Sequence, residues 1–571
     1  MRRPVVGRDR LVDLAVGLVL AFLVLGPLLL GRGFWLFGDM VFVPSQPWKD
    51  AWLGLDGQLP RAVPMDALMS VLTAVVPGDL VQKAVLLGAF LAGAVGAGRL
   101  VGTYPWYARA AAITLFVWNP WVHERLLMGQ WAILAGYLLL PWVAHAALRA
   151  RRDLRDGTPP LAVALVLSAV CSPSSGLMAV LVALVLAARP TRAHVPVVLG
   201  TGLVANLPWL VPTLVAARGS AVTVSGIFEV FAPRAESAAG VWASLLSLGG
   251  TWKSAVVPPE RTEALLVLLS CGLTVVALLG VRRAGRGSDE RRLLVLGAVC
   301  LLLAVLPVLP GGTRVLEAVG GAVPGAAVLR DSQRFLAPAV LVLLPGIAAV
   351  ASGLRARVRP GREALWGVVG LVVVAPVLLL PSLAWGAAGS LPRSSFPEEW
   401  GTVARVLEEE GPARTVVLPW RGSYRGYDWN DRRAVLDPAP RFLPGEVVID
   451  DRTFVDGDVV PSEDPRVAAV DRALAAPDPA AALRAAGVRW VLVEHGMAGV
   501  GEVPEGTVRH EGEELTLLDL GDLADDPAHD AEAPGTGEAS DTGDVVLVVL
   551  ADVATLLLLS GNAAAILRRR V

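Results

Sequence analysis

Residues 11–31 read LVDLAVGLVLAFLVLGPLLLG, and Phe34-Trp35-Leu36-Phe37-Gly38-Asp39-Met40 follows within a few positions. A run of that length and apolarity crosses a hydrocarbon core as one helix. The residues after it set an aspartate among aromatic side chains at the far surface. Further runs of this kind lie near 79–100, 108–122, 129–148, 159–173, 176–188, 194–216, 263–281, 293–309, 335–353, 364–388 and 545–567. With the first they predict a helical polytopic membrane protein of about twelve transmembrane helices. Composition agrees. Of 571 residues 54% are hydrophobic and only 18% charged, against roughly 25% charged in soluble domains. A soluble or disordered chain is excluded.

The charge distribution orients the helices. Lys and Arg number 50 against 52 Asp and Glu, a net charge of -2, so no basic field exists for nucleic acid, and none is expected as a partner. The positive-inside rule counts Lys and Arg in short loops. Arg2/Arg3/Arg8/Arg10, Arg149/Arg151/Arg152/Arg155, Arg189/Arg192, Arg282/Arg283/Arg286/Arg291/Arg292, Arg355/Arg357/Arg359/Arg362 and Arg568/Arg569/Arg570 all fall on the N-terminal side of a twelve-helix topology. That predicts a multi-pass protein of a bacterial plasma membrane with both termini cytosolic. No small-residue cleavage site precedes Arg32-Gly33-Phe34, so the first helix reads as a retained anchor.

Four units follow. Residues 1–388 form the transmembrane domain, and 389–521 an extracytoplasmic domain long enough for a core of its own. Residues 522–544 read as an acidic flexible linker, and 545–571 as a last helix with a basic tail. The extracytoplasmic domain mixes strands such as Thr415–Leu418 and Trp490–Val493 with helical stretches at 398–410 and 465–486, an α/β pattern.

Ionisable groups at membrane depth are costly and mark functional sites. Asp39, held between apolar residues just past the first helix, is placed to act as a base; the competing reading is a capping aspartate. His123, Glu124 and Arg125 follow Trp118-Asn119-Pro120-Trp121, where Pro120 interrupts the helix and frees backbone groups. The planar fork of Arg125 suits a phosphate, although snorkelling to headgroups is equally open. Arg330, Asp331, Gln333 and Arg334 precede a helix that enters from the outer side, against the positive-inside bias. An anionic lipid-linked phosphate or pairing with Asp331 or Glu317 would compensate the two arginines. In the soluble domain Trp420, Tyr424, Tyr427 and Trp429 alternate with polar groups. Such rings stack on sugars or dock one domain on another.

Several signals are missing. No GxxxxGK[ST] or GxGxxG follows a strand, and no HExxH occurs. Cys171, Cys271 and Cys300 lie in apolar runs without metal-ligand spacing. Mid-helix polar residues are few, chiefly Asp552 and Asn206, which demotes coupled transport.

Taken together, Asp39 in the first loop, Asn119-Pro120-Trp121 to Gln130, the Ser172-Pro173-Ser174 turn, Asn206-Leu207-Pro208-Trp209 and Arg330-Asp331-Ser332-Gln333-Arg334-Phe335 resemble the GT-C class of membrane glycosyltransferases. The resemblance is to YfhO-type proteins and to the membrane region of actinobacterial cell-wall arabinofuranosyltransferases, over roughly residues 11–390. It implies sugar transfer from a polyprenyl-phosphate-linked sugar to an envelope glycan or protein acceptor on the outer face, with inversion, and contact with membrane lipids. By that likeness Asp39 is the base, and Arg125, Arg330 and Arg334 clamp the phosphate. His123 or Glu124 would assist in orientation. The chain departs from the pattern in two places. Asp39 is preceded by Gly38 where many relatives carry a second acid, so no cofactor or metal site is identified. Ser172-Pro173-Ser174-Ser175 stands where relatives often have a histidine. The alternatives are a glycan- or lipid-binding assembly protein without turnover and a lipid or glycan flippase.

Overall fold

Each of the twelve apolar runs forms helix in the computed structural model. It describes residues 8–56, 59–60, 62–189, 193–217, 226–284, 287–323, 326–357, 364–455, 458–462, 464–497, 502–521 and 542–569. Nine of those helices are long and apolar enough to span a membrane by themselves. The other three are shorter for local reasons. Trp106–Val117 ends at Trp118, because the Asn119 side chain accepts from the Val122 N–H at 3.1 Å and caps a new short helix, Pro120–Leu127, with Pro120 in its first turn. Ser172 caps Pro173–Ala187 in the same manner. Ala364–Leu379 bends by 68° into Pro381–Ala388, where Trp385, Gly386 and Ala387 take left-handed backbone. The expected count of about twelve spans thus becomes nine, or ten with the bent pair, among the described residues.

The chain is a multi-pass membrane protein, and its basic helix ends gather at one end of the bundle. Arg152 pairs with Asp289 at 2.7 Å, and Arg149 and Arg569 both pair with Asp156. Arg292 donates to the Val185 carbonyl. These links join the ends of five helices. Arg2, Arg3, Arg192, Arg286, Arg359, Arg362 and Arg570 lie outside the described residues, as does most of the acidic linker, 522–541.

Helix Leu336–Arg355 is the most enclosed span and Thr542–Arg568 the least. Close packing at the centre rests on small residues. A Cβ at Gly346 would lie 1.9 Å from the Ala277 carbonyl, and one at Gly280 would lie 2.1 Å from the Gly346 carbonyl. Without water to drive helices together, such backbone approach supplies the dispersion contact that holds them.

At the opposite end sits a five-stranded sheet. Arg414–Leu418 pairs in parallel with Val447–Val448 and Val488–Glu494; Leu515–Asp519 and Thr507–Glu511 continue antiparallel. Side chains alternate across it. Val416, Leu418, Val491 and Val493 pack under helices Pro465–Leu474 and Pro479–Ala485 in a separate small core. Val417, Trp490, Leu492 and Leu517 face helix Glu398–Glu409 through Trp400 and belong to the same core as the membrane helices. The soluble domain therefore keeps only half its apolar interior to itself.

The other half is shared because the first loop is threaded into it. Phe34 bridges Ser394, Asn430 donates to the Leu36 carbonyl at 3.0 Å, and Arg441 forks onto Asp66. Lys49 donates to the Pro440 carbonyl at 2.7 Å. There burial pushes its ammonium down to about 7.

Candidate functional site

Asp39 is fixed by its backbone before its carboxylate meets anything. Gly38 has φ +52°, and a Cβ there would fall 2.2 Å from the Met128 carbonyl oxygen. Only glycine fits a positive φ at such close approach. The Asp39 N–H donates to Met128 O at 3.0 Å, Gly38 N–H to Ala434 O, and Leu436 N–H to Gly38 O at 2.8 Å. The aspartate is thereby pinched between the turn ahead of helix Trp131–Arg152 and the hairpin Tyr424–Arg425 with Val435–Leu436.

Its carboxylate is half-buried and oriented from two sides. The Tyr424 hydroxyl donates to Oδ1 at 2.5 Å, and Gln130 Nε2 reaches Oδ2 at 3.4 Å. The second contact is long, so Oδ2 keeps lone-pair capacity for another donor. Lys253 stands 5.7 Å from the Tyr424 ring centre.

Gln130 connects the aspartate to a buried guanidinium. Arg125 is fully enclosed, lies 5.3 Å from the Trp121 ring centre, and donates to Gln130 Oε1 and Asp331 Oδ2, each at 2.7 Å, and to Gln333 Oε1. Asp331 also accepts from Arg334 Nε at 2.9 Å, and Arg334 Nη1 reaches Ser174 Oγ. Burial alone would raise the Asp331 carboxyl, but the two guanidiniums hold it below the ordinary range. Arg330 lies 5.1 Å from the Phe231 ring centre.

Glu124 turns away from Asp39. It accepts from Gln333 Nε2 at 2.8 Å, and burial together with Glu236 keeps it well above the usual carboxylate range. Glu236 is held in turn by Arg261. His123 contacts Ser382 Oγ at 3.2 Å, and Ser382 donates to Glu260 at 2.6 Å. Burial pushes the imidazole down to about 4, so it is neutral.

The residues singled out in the sequence thus divide. Asp39, Arg125, Asp331, Gln333 and Arg334 share one linked cluster, with Arg330 next in the chain to Asp331. Glu124 joins it through Gln333, and His123 lies apart on Ser382. Arg125, expected as a phosphate fork, has both Nη groups committed inside the protein, and its buried Nε meets no partner among the described residues. Of the four aromatics only Tyr424 touches the site. Tyr427 is 2% exposed, bonded to Glu494 and stacked 4.8 Å from Trp429, and the Trp420 indole donates to Asp471. Tyr427 therefore has no open ring face for a sugar, which corrects the acceptor role expected for it.

Sequence reasoning missed Lys253, Glu236, Glu260 and Arg261. One signal was available: the chain holds three lysines, at 49, 83 and 253. Among the described residues no three His, Cys, Asp or Glu gather as a metal-binding group.

The fold, a bundle of apolar helices capped by a small α/β sheet, is that of a GT-C-like polytopic membrane protein. No family model and no curated protein matches the chain in sequence. Among solved structures the likeness is to the cryo-EM structure of the arabinofuranosyltransferase AftD from mycobacteria, with TM-score 0.58 and 17% identity over 90% of this chain and 40% of that one. A mutant form of AftD gives TM-score 0.52 and 17% identity over 90% and 42%. The chain spans about two fifths of that enzyme's length, and at this identity the likeness is one of fold.

Proposed function

We propose that this chain is an inverting membrane glycosyltransferase. It moves a sugar from a polyprenyl-phosphate donor to a cell-envelope glycan or protein acceptor at the outer face of a bacterial plasma membrane. The observation that carries the reading is the Asp39 carboxylate, bonded to Tyr424 on one oxygen and linked through Gln130 to the cluster of Arg125, Asp331 and Arg334. The AftD-like fold supports it. The basic helix ends at the opposite end of the bundle support a cytosolic assignment for that end and an outer one for the soluble domain.

In this reading Asp39 Oδ2 takes the proton of the acceptor hydroxyl as its oxygen attacks the anomeric carbon. The bond from that carbon to the donor phosphate oxygen breaks on the opposite face, and polyprenyl phosphate departs with the bonding electrons. Arg334, Arg330 and Lys253 are the cations suited to the charge that develops on it. Arg125 acts at one remove by fixing Asp331 and Gln130, and Tyr424 sets the carboxylate's direction.

The test is transfer from a polyprenyl-phosphate sugar by purified protein. Asp39→Asn should fold, insert and bind donor yet lose about 10²–10⁴-fold in rate, the usual worth of a positioned base. Wild-type rates in that variant would remove the base. Donor binding without any turnover by the wild-type protein would favour the assembly-protein reading.

A further inference from the structure

A cavity of about 220 Å³ opens at the seam between the first loop and the soluble domain. It lies outside the cluster around Asp39. Two fork-shaped ion pairs stand in its wall. Arg441 Nε and Nη2 meet the two Asp66 oxygens at 3.2 and 3.0 Å, and Arg466 Nε and Nη2 meet Asp464 at 2.9 and 2.7 Å. Trp52 adds an aromatic wall. Its indole N–H is already used on the Pro47 carbonyl, and Lys49 Nζ sits 5.6 Å from its ring centre.

The geometry points to this cavity as the subsite for the acceptor glycan, taking a neutral polyhydroxyl ligand. Three features argue for that class. Rigid carboxylate–guanidinium pairs present acceptors and donors in fixed directions, as an array of sugar hydroxyls requires, and an indole face covers the C–H side of a sugar ring. Among the described residues five aspartates, one of them paired with Arg425, and two arginines line the cavity, an excess of carboxylate that disfavours an anionic ligand such as the donor phosphate. The cations proposed to meet that phosphate do not line this cavity, so donor and acceptor are divided by charge.

One register pair joins the cavity to the base. In the hairpin, Tyr424 lies opposite Leu436. Tyr424 donates to the Asp39 carboxylate, while Leu436 lines the cavity and donates its N–H to Gly38, the residue before Asp39. A glycan seated there extends one end toward the carboxylate. Because the inference rests on the transferase reading, its test carries a readout that needs no turnover.

Equilibrium binding to full-length protein in detergent is measured with a neutral arabinofuranose tetrasaccharide and with tetragalacturonate. The neutral probe should bind and the anionic one should bind at least tenfold more weakly. Trp52→Ala should weaken the neutral probe about tenfold, and Trp52→Phe should restore it. In transfer assays Trp52→Ala should raise acceptor KM about tenfold and move donor KM less than twofold. Equal binding of the two probes, or an unchanged Kd and acceptor KM in Trp52→Ala with an unchanged melting temperature, overturns the subsite. Active transfer with Trp52→Ala indifferent rejects the cavity alone. Neutral-probe binding without turnover rejects the transferase alone.

Discussion

Two buried charge clusters face each other across the hairpin that holds Asp39, and they balance in opposite ways. On the membrane side the guanidiniums of Arg125 and Arg334 converge on a single carboxylate, Asp331, at 2.7 and 2.9 Å. In the soluble domain the ratio is reversed: Arg425 alone meets two carboxyls, Asp437 at 3.1 Å and Glu494 at 2.8 Å, with the Tyr427 hydroxyl on Glu494. The first cluster keeps its acid ionised. The second cannot ionise both of its acids, and burial with Asp437 alongside pushes Glu494 up to about 8. Excess positive charge thus lies on the side proposed to meet a phosphate, and a stored proton on the side that frames the hairpin.

The sharpest way to break this contrast is the same carboxyl-to-amide change on both sides. Asp331→Asn strips the counter-charge from a fully buried Arg125 and from Arg334, and an uncompensated buried charge costs about 3–5 kcal/mol. Melting in detergent should fall steeply, or inserted protein should be lost. Glu494→Gln replaces a group that already holds a proton and keeps its hydrogen bonds, so its cost near neutral pH should be below about 1 kcal/mol. Equal losses in the two variants would show that the clusters do not differ in charge balance.

The pH dependence sharpens the comparison further. Between the ordinary glutamate value of 4.5 and about 8, the folded protein retains a proton on Glu494 that the unfolded chain has released. Stability contributed by this group is therefore complete below that window and falls as pH rises through it. Glu494→Gln does not titrate, so the melting temperature of the wild type relative to the variant should decline from pH 5 to pH 8. A constant difference would mean that Glu494 is ionised in the folded state.

Much of this architecture was legible along the chain, for identifiable reasons. Long apolar runs reveal helices, and Asn119-Pro120 and Ser172-Pro173 announce a cap and a helix start in consecutive residues. That Asp39, Arg125, Asp331, Gln333 and Arg334 lie on one side of the bundle was also legible, since each stands in a connection between spans or at a helix end there. What is set by distant pairing was not. Nothing local to Phe34 or Gly38 names Ser394, Ala434 or Leu436 as the backbone partner, and Tyr424–Arg425 is a strand of two residues with no pattern to detect. The sharing of one core by loop and sheet was hidden for the same reason. Lys253 and the Glu236–Arg261 pair lie in a loop whose composition says nothing about where it folds. Charge patterning located the arginines but not their occupancy, and the difference between a free fork and a committed one at Arg125 emerged only from its neighbours.

An effect on rate smaller than that of Asp39→Asn tests the link between the two clusters. Tyr424 follows Ser423 in the hairpin braced by Arg425, and its hydroxyl is the shortest contact Asp39 makes. Tyr424→Phe removes one hydrogen bond to a carboxylate and leaves the ring that packs near Lys253. A hydrogen bond to a charged group is worth at least about 1.5 kcal/mol net, or about a tenfold change in rate. Because the hydroxyl orients the carboxylate without contacting the donor, the loss should appear in kcat, with donor KM unchanged. A loss as large as that of Asp39→Asn would make Tyr424 a proton carrier in its own right. No loss at all would mean that Gln130 alone orients the base.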